Sequence, residues 1–332
     1  MQKNIAVIGA GMSGLVAAHA LAQAGHRITV FEKARGPGGR MSTRRREGHA
    51  FDHGAQYFTC RDPRFRSQIE AWLKDGVVAE WTAAIHVLNA GHSTATDDQT
   101  TRYVGVPRMS AIARHLAGEI EIVTRQRITE LGSESADPPH WFLQSESGER
   151  YTGFDRVILS VPARQAVPLL AVDSGFQTRA QGVSMLPCHA TLVTFSEELK
   201  TEFGGAFVEN SPLSWVARNA SKPDRPQGES WVLHSQADWS LQHMEDPPEA
   251  VAGSMLDALS EALGHALPEI LDVSSHRWAL ARSEEPMEVG FLFRAETGLA
   301  VCGDWLHGDR VEGAFLSGLE LAEALMESLS DQ

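Results

Sequence analysis

The sequence predicts an α/β fold in which a parallel βαβ unit opens the chain and an α+β region containing an antiparallel sheet is inserted later. Residues 4–33, NIAVIGAGMSGLVAAHALAQAGHRITVFEK, place a small-residue helix between two short apolar strands. Further along, ATLVTFSEEL, GAFVEN, LSWVARN and ESWVLHSQ show the alternation of strands. A chain of 332 residues that is 42% hydrophobic can bury one large core or two smaller ones.

Charge and cysteine content limit the function. The formal net charge of −14 argues against a general nucleic-acid or anionic-membrane surface, because phosphates would be repelled at long range. Cys60, Cys188 and Cys302 lie far apart and show neither disulfide nor metal spacing, so we expect them to serve packing in a reducing compartment. No stretch approaches the roughly twenty apolar residues of a membrane helix. We therefore expect a cytoplasmic protein with no metal site and a small-molecule substrate.

The first strand and helix are joined by a glycine motif. Gly9, Gly11 and Gly14 stand in GxGxxG register, which permits a tight turn, close approach of a pyrophosphate, and close packing of helix on strand. Glu32 ends the second strand, where a carboxylate can accept hydrogen bonds from both hydroxyls of an adenosine ribose. A complete βαβ unit with this terminal acid predicts a Rossmann-like dinucleotide site, but it does not distinguish NAD from FAD.

Three further features favour FAD. In ARGPGGRMSTRR, Gly38 and Gly39 leave amides uncovered, and Arg40 supplies a cation for the second phosphate of an extended cofactor. The run RVILSVPARQAVPLL predicts a strand that ends at Val161 and Pro162. The segment IEIVTRQRITELG precedes it in the chain, and its backbone near Arg127 and Ile128 can contact an adenine edge.

The third feature lies near the C-terminal end. LAVCGD predicts a strand closing on Asp304, whose carboxylate suits a ribityl hydroxyl. A helix begins around Val311 to Ala314, and its N-terminus, aimed at the flavin C2 carbonyl, would stabilise the negative charge that builds up on reduction.

These pieces resemble the glutathione-reductase-like FAD fold of the flavin amine oxidase superfamily. The resemblance implies a discontinuous FAD-binding domain at residues 1–62, 103–163 and 278–332, and a substrate domain at 63–102 and 164–277. We expect non-covalent FAD, since no cysteine stands in the polar loop before VEGA. The expected cofactor contacts are Gly9, Gly11, Met12, Ser13, Gly14, Glu32, Lys33, Gly39, Arg40, Met41, Gly54, Ala55, Gln56, Tyr57, Arg127, Ile128, Val161, Pro162, Gly303, Asp304, Val311, Glu312, Gly313, Ala314 and Ser317.

Within that superfamily the chain is most similar to the renalases, in their bacterial form. The similarity rests on GGRMSTRR, FDHGAQYFTCRD, WVARN, WVLHS, HRWALAR and CGDW…VEGAFLSG. It implies oxidation of misreduced nicotinamides, the 2-dihydro and 6-dihydro isomers of NAD(P)H, with oxygen as acceptor and NAD(P)+ and hydrogen peroxide as products. The implied active-site residues are Tyr57, Asn219, His234, Arg277 and Trp278.

The expected roles follow from the chemistry. A dihydropyridine needs no protein base to give up hydride, so aromatic faces and hydrogen-bond donors should build the pocket. We expect Tyr57 and Trp278 to bound the substrate ring while Asn219 and His234 orient its carboxamide. A histidine in a strand is also often a satisfied core residue, and Trp278 can equally cap a hydrophobic layer.

Two other functions stay open. Many amine oxidases hold a water against flavin N5 with a lysine, whereas the last lysine here is Lys222 and the segment leading into the C-terminal motif has none. Arg310 also stands where a tyrosine of an aromatic cage is common in that family. The second alternative is a non-catalytic flavin redox sensor, which would not require a substantial substrate domain. The basic run Arg44 to Arg46 favours a solvated turn, or a contact with a substrate phosphate.

Overall fold

The computed structural model describes residues 1–136 and 139–330, so residues 137–138 and 331–332 of the expected FAD-binding ranges lie outside the described residues. The strands of the described chain are β1 Asn4–Ile8, β2 Arg27–Glu32, β3 Thr43–Arg46, β4 His49–Asp52, β5 Val78–Glu80, β6 Ile85–Asn89, β7 His92–Ala95, β8 Tyr103–Gly105, β9 Glu121–Thr124, β10 Ile128–Ala136, β11 Pro139–Ser145, β12 Arg150–Phe154, β13 Arg156–Leu159, β14 Met185–Phe195, β15 Gly205–Val208, β16 Leu213–Arg218, β17 Glu229–Ser235, β18 Ile270–Ser283, β19 Phe291–Arg294 and β20 Leu299–Cys302.

The helices confirm the expected start of the chain, because α1 lies between β1 and β2. The α-helices are α1 Met12–Gln23, α2 Pro63–Lys74, α3 Ser110–Ala117, α4 Ala163–Leu169, α5 Ser174–Gln181, α6 Ala237–Gln242, α7 Pro248–Leu263 and α8 Val311–Ser330. Short 3-10 turns occupy Gly39–Met41, Leu170–Val172, Asn219–Ser221 and Asp304–Leu306. Within the ranges that the structure describes, no helix has both the length and the apolar character needed to cross a bilayer.

A six-stranded sheet carries the dinucleotide-binding motif. Its order is β19-β20-β13-β1-β2-β9, and all neighbours are parallel except β19, which runs antiparallel to β20 at the edge. The strands are apolar because helices cover both faces of such a sheet. Since β1, β2, β13 and β20 are parallel, their carboxyl ends share one edge, where ligands of open α/β sheets bind.

A seven-stranded sheet forms the second layer, in the order β18-β14-β17-β16-β15-β6-β7. It is antiparallel except for the parallel pair β15 and β6, and it confirms the antiparallel sheet expected from the sequence. One face packs on α7: Val193, Trp231 and Leu233 share a core with Val251 and Met255 of that helix. The opposite face is therefore available to the parallel sheet and its loops.

Smaller sheets complete the fold. Strands β10, β11 and β12 form a three-stranded sheet, β3 pairs with β4, and β5 pairs with β8. The β3–β4 hairpin directly follows the Gly39–Met41 turn and leads into residues 53–57. This hairpin brings the segment after β4 between the two large sheets.

The expected domain division remains a proposal, and the elements refine its boundaries. The expected break at 163/164 falls at the start of α4, which packs on the parallel-sheet core through Ala166 and Leu169, as does α5 through Phe176. The expected break at 277/278 falls inside β18, which pairs with β14 as far as Ser283. The hydrophobic faces of α4 and α5 thus favour a substrate-sheet segment that begins near Met185 and continues to Ser283.

Candidate cofactor and substrate site

The first βα turn leaves an open cradle of backbone. Gly9 has φ +106, and a Cβ there would lie 2.2 Å from the carbonyl oxygen of Ser160. A Cβ at Gly14 would lie 2.3 Å from the Gly9 carbonyl oxygen, so both positions are closed to larger residues. A Cβ at Gly11, by contrast, would meet no atom within 4 Å. Gly11 is also the N-cap of α1 and provides no side-chain cap, so the amides of the first turn remain available to an anion.

Glu32 fixes the two loops around this cradle. Its carboxylate is 6% exposed and accepts the amides of Ala10 at 2.9 Å and Ala34 at 2.7 Å. The Gly9 amide donates to the Phe31 carbonyl at 2.8 Å and closes the same corner. Because each carboxylate oxygen has a second lone pair, Glu32 retains capacity for ribose hydroxyls.

The glycine-rich turn lies against the cradle. A Cβ at Gly39 would lie 3.4 Å from Cα of Gly11, and the Gly38 amide donates to the Ala10 carbonyl at 2.9 Å. Arg40, expected to meet a phosphate, donates instead to Asp304, with Nη1 to Oδ2 at 2.8 Å and Nη2 to Oδ1 at 2.5 Å. Two residues expected to bind different parts of the cofactor are therefore bound to one another.

Residues 54–56 form the next wall. The Ala55 amide donates to the Arg40 carbonyl at 2.9 Å, and a Cβ at Gly54 would lie 1.9 Å from that oxygen. The Gln56 side chain turns back on its own loop, where its Nε2 donates to the carbonyls of Asp52 and Gly54. The loop is consequently held in one shape by Arg40 on one side and by Gln56 on the other.

The C-terminal helix closes the site from the opposite end of the chain. A Cβ at Gly318 would lie 2.3 Å from the Ser13 carbonyl, so α1 and α8 pack closely near their N-termini. Ser317 Oγ accepts the Gly303 amide at 2.9 Å and donates to the Gly290 carbonyl at 2.6 Å. Glu312 accepts the amides of Arg61 and Asp62, at 2.6 and 2.8 Å. Ser317 and Glu312, both expected cofactor contacts, thus hold the surrounding backbone.

Val311, Gly313 and Ala314 form the first turn of α8, as expected from the sequence. A Cβ at Gly313 would lie 1.5 Å from the His307 carbonyl, so the polar loop after Asp304 folds against this turn. Gly303 and Asp304 follow β20 at the carboxyl edge of the parallel sheet. The N-termini of α1 and α8 therefore meet the same edge.

Four further expected contacts lie around this edge, three of them buried and one hydrogen-bonded to α4. Met12, Ser13 and Met41 are buried at the starts of their helical turns. Lys33 Nζ donates to Gln165 Oε1 of α4 at 2.8 Å. These groups tie the cradle to α1 and α4.

The expected adenine end lies across β2 and β10. Arg127 pairs with Glu146 at 3.4 Å, its carbonyl accepts the Glu146 amide at 2.8 Å, and Ile128 begins β10 opposite Ser145. Val161 accepts the Trp305 indole N–H at 3.1 Å, and Pro162 is the N-cap of α4. The residues present fit a dinucleotide cofactor, since the open space at Gly11, the uncapped amides of α1 and Glu32 stand in the order of phosphate and ribose.

A row of side chains crosses the free face of the seven-stranded sheet. The register places Phe207, Trp215, His234, Ala190 and His276 opposite one another on consecutive strands. Directly paired residues share a face, and Trp278, two positions after His276, joins them. The segment His53–Tyr57 lies against this row at both ends, as the ring contacts of His53 and Tyr57 show.

Two imidazoles and an indole pack around His53. Its ring centroid lies 4.9 Å from those of both His276 and Trp278. The Trp278 indole N–H donates to the His53 carbonyl at 2.9 Å, and His234 Nε2 lies 3.2 Å from the same oxygen. Because a carbonyl only accepts, the proton of His234 is on Nε2 and its Nδ1 is an acceptor.

These imidazoles are neutral at physiological pH. Burial, with repulsion from His276 and Arg44, lowers the pKa of His53 to about 3. Burial also lowers the pKa of His234 to about 4, despite its bond to the His53 carbonyl. The pKa of His276 is lowered to about 4 by burial and by Arg44. The cluster is therefore polar but uncharged.

Tyr57 heads an aromatic wall at the other end of the row. Its ring centroid lies 5.3 Å from that of Trp215 and 6.1 Å from that of Trp81. The Arg102 guanidinium stacks over Tyr57 at 5.2 Å, and Arg102 itself is only 7% exposed. The sequence does not single out Trp81, Trp215 and Arg102, because their contact depends on the pairing of strands that lie far apart in the chain.

Two expected site residues have other contacts. Asn219 is 1% exposed; its Nδ2 donates to the Ala50 carbonyl at 2.7 Å and its Oδ1 accepts the Asp52 amide at 3.3 Å. Arg277 lies between His276 and Trp278, so strand alternation turns it to the opposite face, where it donates to the Met244 carbonyl. The structure brings Tyr57, His234 and Trp278 to the free face, engages Asn219 with backbone, and directs Arg277 away.

Sequence reasoning missed a buried charged cluster behind residues 52–56. The side chains of Asp52, Lys222 and Arg225 are all 0% exposed. Arg225 donates to Asp52 Oδ2 through Nη2 at 2.6 Å and Nε at 3.1 Å, and Lys222 Nζ donates to Gln56 Oε1 at 3.1 Å. Burial opposes ionisation of Asp52, but Lys222 and Arg225 hold its pKa below the ordinary value.

Comparison with protein families gives two matches that divide the chain between them. The NAD(P)-binding Rossmann-like domain matches residues 7–72. The flavin containing amine oxidoreductases match residues 76–326. Together they span residues 7–72 and 76–326, from the end of β1 to most of α8.

Curated relatives match over a short segment. The 4,4'-diapophytoene desaturase (4,4'-diaponeurosporene-forming) of Staphylococcus haemolyticus (strain JCSC1435) is 54% identical over 50 residues, 15% of this chain and 10% of that protein. The enzyme of the same name from Staphylococcus aureus (strain Newman) is 52% identical over 51 residues, with the same shares. The match thus spans about a tenth of the length of these relatives.

Solved structures share the fold over nearly the whole chain. A chain from Exiguobacterium sp. 255-15 assigned as a protoporphyrinogen oxidase has a TM-score of 0.80 at 14% identity, covering 99% of both chains. Putrescine oxidase bound to putrescine has a TM-score of 0.71 at 14% identity, covering 98% of this chain and 99% of that one. At such identities the likeness concerns the fold alone.

Proposed function

The chain belongs to the flavin-containing amine oxidoreductase family, and from that premise we propose that it is an FAD-dependent oxidase of misreduced nicotinamide dinucleotides. The substrates are the 2-dihydro and 6-dihydro isomers of NAD(P)H, and FAD is held without a covalent bond. The sequence similarity to the renalases, carried by GGRMSTRR, FDHGAQYFTCRD and HRWALAR, supports this substrate class.

One observation carries the choice of substrate: the free face is built of aromatic rings and neutral imidazoles, and the buried charges beside it are mainly positive. Lys222, Arg225 and Arg102 are all buried; Arg225 pairs with Asp52 and Arg102 with the more exposed Asp98, so Lys222 has the least counter-charge. A protonated amine would be repelled by such a site, since Coulomb repulsion is strong where water is excluded. A neutral dihydropyridine with an anionic pyrophosphate tail suits it.

The side chains of the free face have distinct tasks in this proposal. Tyr57 and Trp278 bound the flat substrate ring and exclude water from it. The acceptor Nδ1 of His234 takes a hydrogen bond from the carboxamide N–H of the substrate, which fixes the orientation of the ring. Asn219 acts on β4 instead, where it keeps Asp52 and the following loop in place.

No residue has to remove a proton in this reaction, which agrees with imidazoles whose pKa values lie near 3 and 4. A bound flavin would supply a two-electron acceptor for the substrate hydride; with oxygen as final acceptor and one solvent proton, the products would be NAD(P)+ and hydrogen peroxide. The protein contributes alignment and a dry pocket.

The direct test is anaerobic stopped-flow mixing of the FAD-loaded protein with 6-dihydro-NAD, ordinary NADH, or an amine panel that includes putrescine. Loss of the oxidised flavin absorbance with the 6-dihydro isomer, and much slower loss with NADH, is the expected result. Fast reduction by an amine would replace the proposal with amine oxidation. Absence of reduction by every donor would favour a redox sensor.

A matched pair of variants locates the site. His234→Gln should raise the apparent dissociation constant for 6-dihydro-NAD at least tenfold, because the Gln side chain cannot reproduce both contacts of the imidazole. Arg277→Gln, its neighbour across β14 on the opposite face, should leave that constant unchanged. The reverse pattern would place the substrate on the α7 side of the sheet.

A further inference from the structure

A buried cluster behind the candidate flavin loop carries more positive than negative charge. Lys222 and Arg225 contribute two cations and Asp52 one anion, and all three side chains are fully buried. His234, which also faces Lys222, is neutral because burial lowers its pKa to about 4. Keeping an unmatched charge out of water is costly, so such an arrangement calls for a compensating anion nearby.

The ammonium of Lys222 has three hydrogen-bond donors, and its neighbours accept from few of them. Its one hydrogen bond among the described residues goes to Gln56 Oε1 at 3.1 Å, and Asp52 Oδ2 lies at 3.7 Å, beyond hydrogen-bond distance. Asp52 is already occupied by Arg225, by the Met109 amide at 3.0 Å and by the Thr43 hydroxyl at 2.8 Å. Lys222 therefore keeps only a long ion-pair contact with Asp52, and the three side chains together retain one net positive charge.

Gln56 connects this charge to the loop beside the cofactor site. Its Oε1 accepts from Lys222, while its Nε2 donates to the carbonyls of Asp52 and Gly54. Gly54 and Ala55 in turn lie against the Arg40 carbonyl, within the turn that follows the phosphate cradle. Lys222 therefore contacts this loop directly, through the Gln56 side chain.

We propose that Lys222 is a positioning residue that, through Gln56, holds the Gly54–Gln56 loop and supplies the positive potential that stabilises the negative charge placed on the flavin by two-electron reduction. The inference rests on the flavin site of the proposed function but not on its substrate. It sets the redox potential of the cofactor from a group that touches neither cofactor nor substrate.

The effect should weaken in mild alkali. Burial, with repulsion from Arg225, lowers the pKa of Lys222 to about 8, although Asp52 opposes the shift. The charged and titratable groups facing it are Asp52 from β4, Arg225 from the loop after Asn219–Ser221, and neutral His234 from β17. The lowered pKa of Asp52 and the pKa of about 4 of His234 keep both groups from changing charge between pH 7 and 9.5, so we assign a change in that interval to Lys222.

The experiment measures the midpoint potential of the FAD-loaded protein against reference dyes, with a chemical reductant in place of substrate. Lys222→Met should shift the reduction equilibrium at least tenfold toward oxidised flavin, which is about 30 mV for a two-electron couple. Lys222→Arg, which keeps the positive charge, should retain most of the wild-type potential. Exposed Lys200→Met makes the same change in net charge and should shift nothing. The gap between wild type and Lys222→Met should shrink between pH 7 and 9.5.

A second variant keeps the proposal testable if Lys222→Met fails to fold. Gln56→Glu sets a carboxylate of nearly the same size against the Lys222 ammonium, although it loses the hydrogen bonds from Nε2 to the carbonyls of Asp52 and Gly54, and it should likewise favour oxidised flavin. Equal potentials in wild type, Lys222→Met and Gln56→Glu would overturn the proposal. Because no substrate is present, that outcome is separate from failure to oxidise dihydronicotinamides.

Discussion

Arg40 and Asp304 are 264 positions apart and form a two-point ion pair, with Nη1–Oδ2 at 2.8 Å and Nη2–Oδ1 at 2.5 Å. Their side chains are 29% and 10% exposed, so the pair is largely withdrawn from water. The pair joins the glycine-rich turn after β2 to the end of β20. The two segments of the chain that enclose the cofactor site are thereby fixed relative to each other.

Breaking this pair should destabilise the protein and weaken cofactor binding together. Arg40→Met leaves Asp304 without its partner beside Asp309, and should lower the free energy of unfolding of the apoprotein by about 2 kcal/mol. A double-mutant cycle with Asp304→Asn, measured by urea unfolding, should give a coupling energy of roughly 1–3 kcal/mol. Additive effects of the two changes would show that the pair contributes nothing of its own.

The glycine motif offers a clean separation of folding from binding. Gly11→Ala introduces a methyl into open space, so the apoprotein should lose about 1 kcal/mol or less, the cost of an alanine N-cap. FAD affinity should fall at least tenfold, because the methyl occupies the approach of the phosphates. Fluorescence titration of apoprotein with FAD measures this loss.

Gly14→Ala is the matched control, since its Cβ would lie 2.3 Å from the Gly9 carbonyl and 2.9 Å from the Ser160 side chain. It should destabilise the apoprotein by about 3 kcal/mol, the upper range for overpacking. If Gly11→Ala bound FAD as wild type does, the phosphates would not lie at this cradle.

Local patterns predict the core of this fold well. The βαβ start follows from apolar periodicity and glycine spacing, both contained within thirty or so residues. The placement of Arg277 follows from strand alternation: in HRW, the period of two turns residues 276 and 278 to one face and 277 to the other. Asn219 and Ser317 could not be assigned in the same way, because their partners are backbone groups at Ala50 and Gly290.

Lys222 shows what a single chain does not reveal. It stands in NASKPDRPQG, a polar run rich in proline that is typical of a solvated loop. Its burial depends on Gln56, 166 positions earlier, and on the meeting of β4 with β17. Neither composition nor periodicity marks such a residue, since long-range packing alone decides it.

The neutral histidines predict a loss of stability in acid. His234 has a folded pKa of about 4, below the value near 6.5 of an unfolded chain, so the unfolded state takes up its proton first as pH falls. The contribution of His234 is present above pH 6.5 and is lost as pH falls toward 4. As pH falls from 7.5 to 4.5, the free energy of unfolding should therefore decrease by roughly 1–2 kcal/mol less in His234→Gln than in wild type.

Urea unfolding at the two pH values measures this difference, and the surface variant His92→Gln provides the control. His92 lies exposed in β7, so its removal should leave the pH dependence of wild type unchanged. Identical pH dependence in wild type and His234→Gln would mean that the imidazole is hydrated in the folded protein.

Asp309, in the loop before α8, predicts the opposite dependence on pH. Burial and the nearby charge of Asp304 raise the pKa of Asp309 to about 6, above the value near 3.9 of an unfolded chain. Ionisation is therefore penalised in the folded state, and stability is lost as pH rises from about 4 to 6. Asp309→Asn keeps an Oδ1 that can accept from the Ser283 amide and hydroxyl, both at 2.8 Å, and Asn tolerates the φ of +51.

The free energy of unfolding of Asp309→Asn should consequently exceed that of wild type by about 1–2 kcal/mol at pH 7.5 and equal it at pH 4. Asp309→Ala removes the acceptor as well as the charge, so it should be less stable than Asp309→Asn at both pH values. Urea unfolding of the three apoproteins decides the matter. An equal advantage of Asp309→Asn at pH 4 and 7.5 would assign the gain to packing. An advantage confined to pH 7.5 follows from burying the charged Asp309 carboxylate beside Asp304.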